Sequence, residues 1–301
     1  MKTLKLKLSD GKELTYREWL PEGEVKGVIL ILHGMAEHGA RYADFAKYLN
    51  SLGYGVYVPD HRGHGLTAEE GELGYFAPKN GWQRVVEDAY ELAQKITEDY
   101  PKSKLYLFGH SMGSFLARDL ITQHPKLFKA VILSGTGASQ GFLGVIGKGI
   151  AKTKALFNGG RKRDKLLDKL SFGSFSTAFK PIKTKFDWLS RDEKMVKAYI
   201  DDPLCGFVCT SQFFVDLLEG VKRANDPRLM ANIPKNFPIY LISGSEDPVG
   251  DFGKGVEKVL QLYKNAGLKR VKMELIEDAR HEVLNETNRK EVYKVVGEWL
   301  K

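Results

Sequence analysis

Apolar runs of strand length alternate with helical spacing along most of this chain, and that alternation restricts the fold more than any other feature. Runs at Gly27 to Leu32, Gly55 to Val58, Lys104 to Phe108 and Ala130 to Leu133 are separated by apolar residues three and four apart over Arg41 to Leu52, Trp82 to Glu98 and Met112 to Gln123. Strands joined through helices pair in parallel and need cover on both faces. The rhythm stops near Ser134 and resumes with a strand at Pro238 to Ser243, a helix from Lys254 to Ala266, a strand at Val271 to Ile276 and a last helix from Glu286 to Leu300. Leu4 to Leu8 and Glu13 to Leu20 flank Ser9-Asp10-Gly11-Lys12 and predict an antiparallel hairpin at the start. The expected fold class is α/β: a mostly parallel eight-stranded sheet with helices on both faces and an inserted, mainly helical region. The expected division is a core of residues 1–138 and 236–301 with an insertion at 139–235.

Charge follows the same division. The chain carries a net charge of +8. Ser139 to Lys235 holds 18 Lys and Arg against 10 Asp and Glu, a difference of +8, so the insertion accounts for the excess. Met1 to Asp10 alternates lysine with leucine and lacks the apolar stretch of a secretory signal. The densest apolar runs, Val28 to Leu32 and Gly141 to Gly147, fall well short of the ~20 residues that cross a bilayer. These features predict a soluble, cytoplasmic protein. Cys205 and Cys209, the only two cysteines, suit neither a disulfide framework nor a four-ligand zinc site.

Gly109-His110-Ser111-Met112-Gly113 lies between a predicted strand and a predicted helix. A serine hydroxyl is a weak nucleophile; a sharp strand-to-helix turn exposes it and points helix amides at developing charge, while the flanking glycines relieve the crowding. The five-residue pattern alone is weak and an ordinary loop serine could satisfy it. A second glycine turn, His33-Gly34-Met35, follows the strand ending at Leu32. The backbone N–H groups of Met35 and Met112 are the expected oxyanion donors, each supplying about 3 kcal/mol of transition-state stabilisation.

An acid leaving the strand at Pro238 to Ile242 can reach a histidine across the sheet edge. Asp247 is the candidate in Ser243-Gly244-Ser245-Glu246-Asp247-Pro248, with Glu246 and Asp251 as neighbours and a turn-capping aspartate as the plain structural role. His281 follows the strand Val271 to Ile276. The other histidines, His33, His38, His61, His64, His110 and His124, sit at glycine turns or helix ends. His61 and His64 have H-x-x-H spacing, yet on a glycine-rich turn rather than one helix face, so no metal is expected.

His33-Gly34-Met35-Ala36-Glu37-His38, Asp60-His61-Arg62-Gly63-His64-Gly65, Gly109 to Gly113 and Gly244-Ser245-Glu246-Asp247 together resemble the monoacylglycerol lipase and lysophospholipase-like α/β hydrolases. The resemblance covers nearly the whole chain and implies the α/β-hydrolase fold, a triad of Ser111, Asp247 and His281 in the chain order of that fold, Met35 with Met112 as the oxyanion pair, and no metal or organic cofactor. It makes the insertion a cap over an acyl-binding pocket. The implied activity is hydrolysis of monoacylglycerol, lysophospholipid or related acyl esters through an acyl-enzyme. Thioesterase, peptidase or cofactor-free haloperoxidase chemistry could use the same residues, and a hydrolase-shaped binding protein without turnover is the reading from another class.

The cap is where relatives of this type differ most. Here Gln140 to Leu156 combines glycine and lysine with Phe142, Leu143, Val145, Ile146, Ile150 and Leu156. From Val145 to Lys185 there are 11 basic residues, including Lys148, Lys152, Lys154, Arg161, Lys162 and Arg163, against Asp164 and Asp168. Such a stretch either rests on an anionic membrane surface or presents solvated lysines above a buried apolar face. No nucleic-acid recognition motif accompanies it. Among the many cap aromatics most pack; Cys205 and Phe207 are the expected pocket wall.

Overall fold

The computed structural model describes residues 1–138 and 160–301. The run Gly141 to Gly147, the apolar residues named between Gln140 and Leu156, and Lys148, Lys152 and Lys154 lie outside the described residues. β1 (Lys2–Lys7) and β2 (Glu13–Trp19) form the hairpin, in register from Lys2↔Glu18 to Lys7↔Glu13. Then come β3 (Gly27–Leu32), α1 (Ala43–Ser51), β4 (Tyr54–Pro59), α2 (Gly81–Asp99), β5 (Lys104–His110), α3 (Met112–Gln123) and β6 (Ala130–Ser134). The inserted region contributes α4 (Lys165–Phe172), α5 (Glu193–Asp201), α6 (Ser211–Ala224) and the single turn α7 (Pro227–Met230). The chain closes with β7 (Ile239–Gly244), α8 (Lys254–Asn265), β8 (Val271–Ile276) and α9 (Arg289–Trp299).

The eight strands run in the order β1-β2-β4-β3-β5-β6-β7-β8, antiparallel at β1/β2 and β2/β4 and parallel elsewhere. Strand periodicity sorts the core. On β3, Val28, Leu30 and Leu32 join one hydrophobic cluster and Ile29 and Ile31 the other; on β5, Leu105 and Leu107 separate from Tyr106 and Phe108 in the same way. Helices α2, α3, α6 and α8 cover the first face, and α1 with α9 the second. Because β4 lies on one side of β3 and β5 on the other, the loops leaving β3 and β5 diverge at a topological switch point, where open sheets of this kind form their crevice. This is the α/β-hydrolase fold with an inserted helical cap. Among the described residues no helix is long and apolar enough to cross a membrane.

Helix α6 falls inside the expected insertion, 139–235, and packs on the core. Phe213, Phe214, Leu217 and Val221 of α6 belong to the main core cluster with Trp82 and Leu116, and a Cβ on Gly220 would collide with the Trp82 ring. Helix α6 therefore completes the helical layer over the sheet, and the part that stands over the crevice precedes it. The joint is braced by Arg118 of α3, whose side chain is fully buried with no carboxylate partner among the described residues. Its Nη1 donates to Thr136 Oγ1 at 3.2 Å and to the Gly137 carbonyl at 3.0 Å, and its Nη2 to the Ala224 carbonyl and Asn225 Oδ1, both at 2.8 Å. One guanidinium thus holds both the chain leaving β6 and the chain returning from α6. Burial pulls its pKa below the ordinary value, the mark of a charge kept by hydrogen bonds alone. Arg118→Ala leaves those carbonyls unsatisfied and opens a cavity, so we expect a loss of about 3 kcal/mol in unfolding free energy; an unchanged urea midpoint would show that the brace carries no stability.

Candidate active site

Ser111 sits at the crest of the turn from β5 into α3 with φ 52° and ψ −119°, a conformation that costs a non-glycine residue about 1–3 kcal/mol. The turn survives because its neighbours are small. A Cβ on Gly109 would strike the Gly113 carbonyl, and one on Gly113 would strike the Leu32 carbonyl at the end of β3. Ser111 N–H donates to the Ser134 carbonyl at 2.9 Å, and the Ser111 carbonyl accepts from Ser114 N–H and Oγ at 2.8 and 2.6 Å. Its own Oγ has no hydrogen-bond partner among the described residues and opens into a cavity of about 130 Å³.

The cavity is also lined by His281, on the loop after β8. His281 Nδ1 is 2.9 Å from Asp247 Oδ1, with the two side chains 2% and 0% exposed. Asp247 further accepts from Val249 N–H and from Ser243 Oγ, each at 2.9 Å. Glu246 is exposed and Asp251 half-buried, so of the three acids in this loop Asp247 is the one at the histidine. Burial opposes the imidazolium, but the Asp247 charge and hydrogen bond outweigh it and raise the His281 pKa. Burial likewise opposes the Asp247 carboxylate, and His281, Ser243 and the Val249 amide still hold its pKa low. His110, its ring 4.8 Å from that of His281, is driven by burial down to about 4 and is neutral wherever His281 titrates. Gly135 leaves room for the His281 ring, since a Cβ there would lie 2.8 Å from His281 Cε1.

The loop after β3 packs against the serine turn: a Cβ on Gly34 would lie 3.3 Å from Ser111 Cβ. Met35 lines the cavity and Met112 opens α3. Neither backbone N–H has an acceptor among the described residues, and the Met112 amide lies at the positive end of the helix dipole. Gly34 N–H, one residue earlier, donates to Glu37 Oε1 at 2.6 Å. That carboxylate also accepts from Tyr42 Oη at 3.0 Å and from Arg41 Nη1 at 2.7 Å. Arg41 is in turn bidentate on Glu282, at 2.6 and 2.7 Å, and Glu282 follows His281. A buried ion triad therefore ties the Met35 loop to the His281 loop. Burial disfavours the Glu282 carboxylate, yet Arg41 brings its pKa down to about 2. The sequence offered no spacing signal for the closing half of this clasp, because Arg41 and Glu282 are 241 positions apart.

Cap residues complete the site. His281 N–H donates to the Trp188 carbonyl at 3.3 Å and Glu282 N–H to the Leu189 carbonyl at 2.8 Å, with the Trp188 ring 5.1 Å from the imidazole. Phe172, Phe186, Trp188, Tyr199 and Phe207 line the cavity. Phe207 is among these lining residues. Cys205 is not: it is buried behind the wall with Trp188, Leu189 and Tyr199, because the neighbouring Gly206 turns the chain and hydrogen-bonds to the Ala36 carbonyl. Both cysteines are free and buried.

The histidines of the glycine-rich turn are structural in geometry. The rings of His61 and His64 lie tilted against that of His33, with centroids 4.1 and 5.3 Å from it. His33 Nδ1 meets the Gly34 carbonyl, His61 N–H donates to His33 Nε2, and His64 Nδ1 meets the Arg62 carbonyl. Burial lowers His61 to about 3 and His64 to about 4. Metal-type donors converge elsewhere among the described residues, where His38, Asp202 and Cys205 offer atoms within 4.8 Å of one another. There the His38 to Asp202 contact, 2.8 Å, already latches cap to core.

A family profile described as serine aminopeptidase, S33, matches residues 23–288. The human monoglyceride lipase is 28% identical over 269 residues, covering 86% of this chain and 80% of that protein. A monoacylglycerol lipase of Mycolicibacterium smegmatis is 26% identical over 295 residues, covering 96% and 93%. The crystal structure of a highly thermostable carboxyl esterase from Bacillus coagulans, in complex with glycerol, superposes with a TM-score of 0.91 at 27% identity, covering 99% of this chain and 97% of that one.

Two outcomes follow from the geometry. Arg41→Gln removes one partner of the ion triad, so we expect kcat to fall about 10²-fold through misplacement of the two loops, with a stability loss of about 3–5 kcal/mol; wild-type kcat would contradict the coupling. A base must be neutral to accept a proton, and Asp247 raises the His281 pKa, so kcat/KM should decline as pH falls, with its acid midpoint above 6.5. The stability contributed by the protonated pair has the opposite sense, present at low pH and lost as pH rises through the same value. A midpoint below 6.5 would contradict the assignment.

Proposed function

The chain belongs to the serine aminopeptidase S33 family, and from that premise we propose that Ser111, His281 and Asp247 act as nucleophile, general base and orienting carboxylate in acyl-ester hydrolysis. The protein is a serine-type carboxylic ester hydrolase. One observation carries the assignment of roles: the buried Asp247 to His281 hydrogen bond opens onto the cavity that holds the strained Ser111. Asp247 fixes the proton on Nδ1 and leaves the Nε2 lone pair for the serine. Neutral His281 takes the Ser111 proton as Oγ attacks the ester carbonyl, the Met35 and Met112 amides hold the oxyanion, and the alcohol departs with a proton from His281. Water then attacks the acyl-enzyme by the same route in reverse.

The aromatic wall of Phe172, Phe186, Trp188 and Phe207 suits an acyl group, and the substrate class we assign is monoacylglycerol, lysophospholipid or a related acyl ester. An aminopeptidase substrate would need a free carboxylate for its ammonium group. Of the three acids that line the cavity, Glu37 and Glu282 are occupied by Arg41, and burial pushes the Asp168 carboxyl up toward its neutral form against the attraction of Lys185, which favours the ester. We also place the cap at an anionic lipid surface: Leu166 and Ile182, 48% and 53% exposed, stand among Lys162, Lys165, Lys180 and Lys183. A cytoplasmic location accords with two free cysteines.

Ser111→Ala should retain its melting temperature and lose about 10⁶-fold in kcat on p-nitrophenyl esters and monoacylglycerols; turnover within tenfold of wild type would exclude Ser111. In low salt, co-sedimentation should be greater with anionic than with neutral vesicles. Equal sedimentation with both would remove the surface role.

A further inference from the structure

We propose that the end of the sheet opposite the catalytic crevice holds a second site, for a small anion bearing a chain of phosphates. The parallel strands start behind basic residues: Lys104 begins β5, Lys129 precedes β6, and Lys269 and Arg270 precede β8. With Lys272 and Lys301 they line a groove of about 420 Å³ that has six basic side chains and no acidic one. Lys272 is paired with Glu274 at 2.9 Å. Lys104, Lys129, Lys269 and Arg270 have no carboxylate within 4.0 Å among the described residues. Folded proteins usually intersperse the two signs, whereas here four cations without an ion-pair partner among the described residues surround one concavity, in which the terminal carboxylate of Lys301 is the one negative group.

The spacing indicates the ligand. Lys129 N–H donates to the Leu105 carbonyl and Ile239 N–H to the Arg270 carbonyl, so the basic residues stand at the starts of adjoining strands. From β5 to β8 there are three strand intervals, roughly 14 Å at ~4.8 Å each, a span that long lysine and arginine side chains close from both sides onto a shorter chain of phosphates. Arg270 supplies a planar fork for bidentate phosphate recognition and the lysines supply point charges. Tyr106 and the half-buried Trp299 give the groove an aromatic wall. Among the described residues none of the exposed large apolar side chains lines it, and its shape is concave, so a compact solute fits better than a membrane. Inorganic polyphosphate and a nucleoside triphosphate share the recognised chemistry. The site does not depend on the acyl-transfer reading, since it lies at the other end of the strands.

Calorimetric titration of the whole protein with inorganic tripolyphosphate in 50 mM salt tests the proposal. Wild type should bind saturably, and Lys104→Gln/Lys129→Gln/Arg270→Gln should bind at least tenfold more weakly while keeping wild-type esterase rate and melting temperature. Adenosine triphosphate forms the second arm: binding tighter than tripolyphosphate, lost in Trp299→Ala, supports a nucleotide, and equal binding supports free polyphosphate. Absence of saturable binding, equal affinity in the triple variant, or tighter binding of duplex DNA than of either probe would overturn the proposal.

Discussion

The buried hydrogen bond between Asp247 and His281 is the constraint on which the rest of the structure depends. A carboxylate with no exposed surface is held only at a cost of several kcal/mol unless partners surround it, and Asp247 has the imidazole, a serine hydroxyl and a backbone amide. Those partners come from β7, from the loop that follows it and from the loop after β8. The sheet must therefore bring neighbouring strands to a common carboxyl edge, and the crossing of chain direction at β3 supplies the gap beside them. The strain stored in Ser111 is sustained by the same frame, through the Ser134 carbonyl on β6 and the close passage of Gly113 against β3.

The cap is coupled to this frame at both catalytic loops. Trp188 and Leu189 receive the amides of His281 and Glu282, while Tyr199 Oη and Gly206 N–H both donate to the Ala36 carbonyl, each at 2.9 Å. Arg41 joins the same two loops from the core side. Cap and core thus hold the same two loops from opposite sides of the cavity.

Much of this was legible in the sequence because it rests on local rules. The unbroken apolar run of Val28 to Leu32 predicts a strand covered on both faces, and Met112 to Gln123 begins and ends as its apolar spacing requires. What escaped is non-local. The last helix was expected from Glu286 but begins at Arg289, because the Glu286 carboxylate is spent on the amides of Arg191 and Arg280. Helix α6 reads as part of the cap by position, and only its packing on Trp82 assigns it to the core. Cys205 and Phe207 were both expected at the cavity wall, yet with the left-handed Gly206 between them Phe207 lines the cavity and Cys205 is buried among Trp188, Leu189 and Tyr199. The Glu37–Arg41–Glu282 clasp joins residues whose individual types carry no signal at all.

The most direct test of the central hydrogen bond is the second-order rate at which a fluorophosphonate labels Ser111 in wild type and in Asp247→Asn, followed from pH 5 to pH 9. With the imidazole left in the wrong tautomer, labelling of the variant should fall by about 10⁴-fold with its fold intact. Labelling of the variant at a rate close to wild type would contradict the account, since the serine would then be activated by something other than the His281 and Asp247 pair.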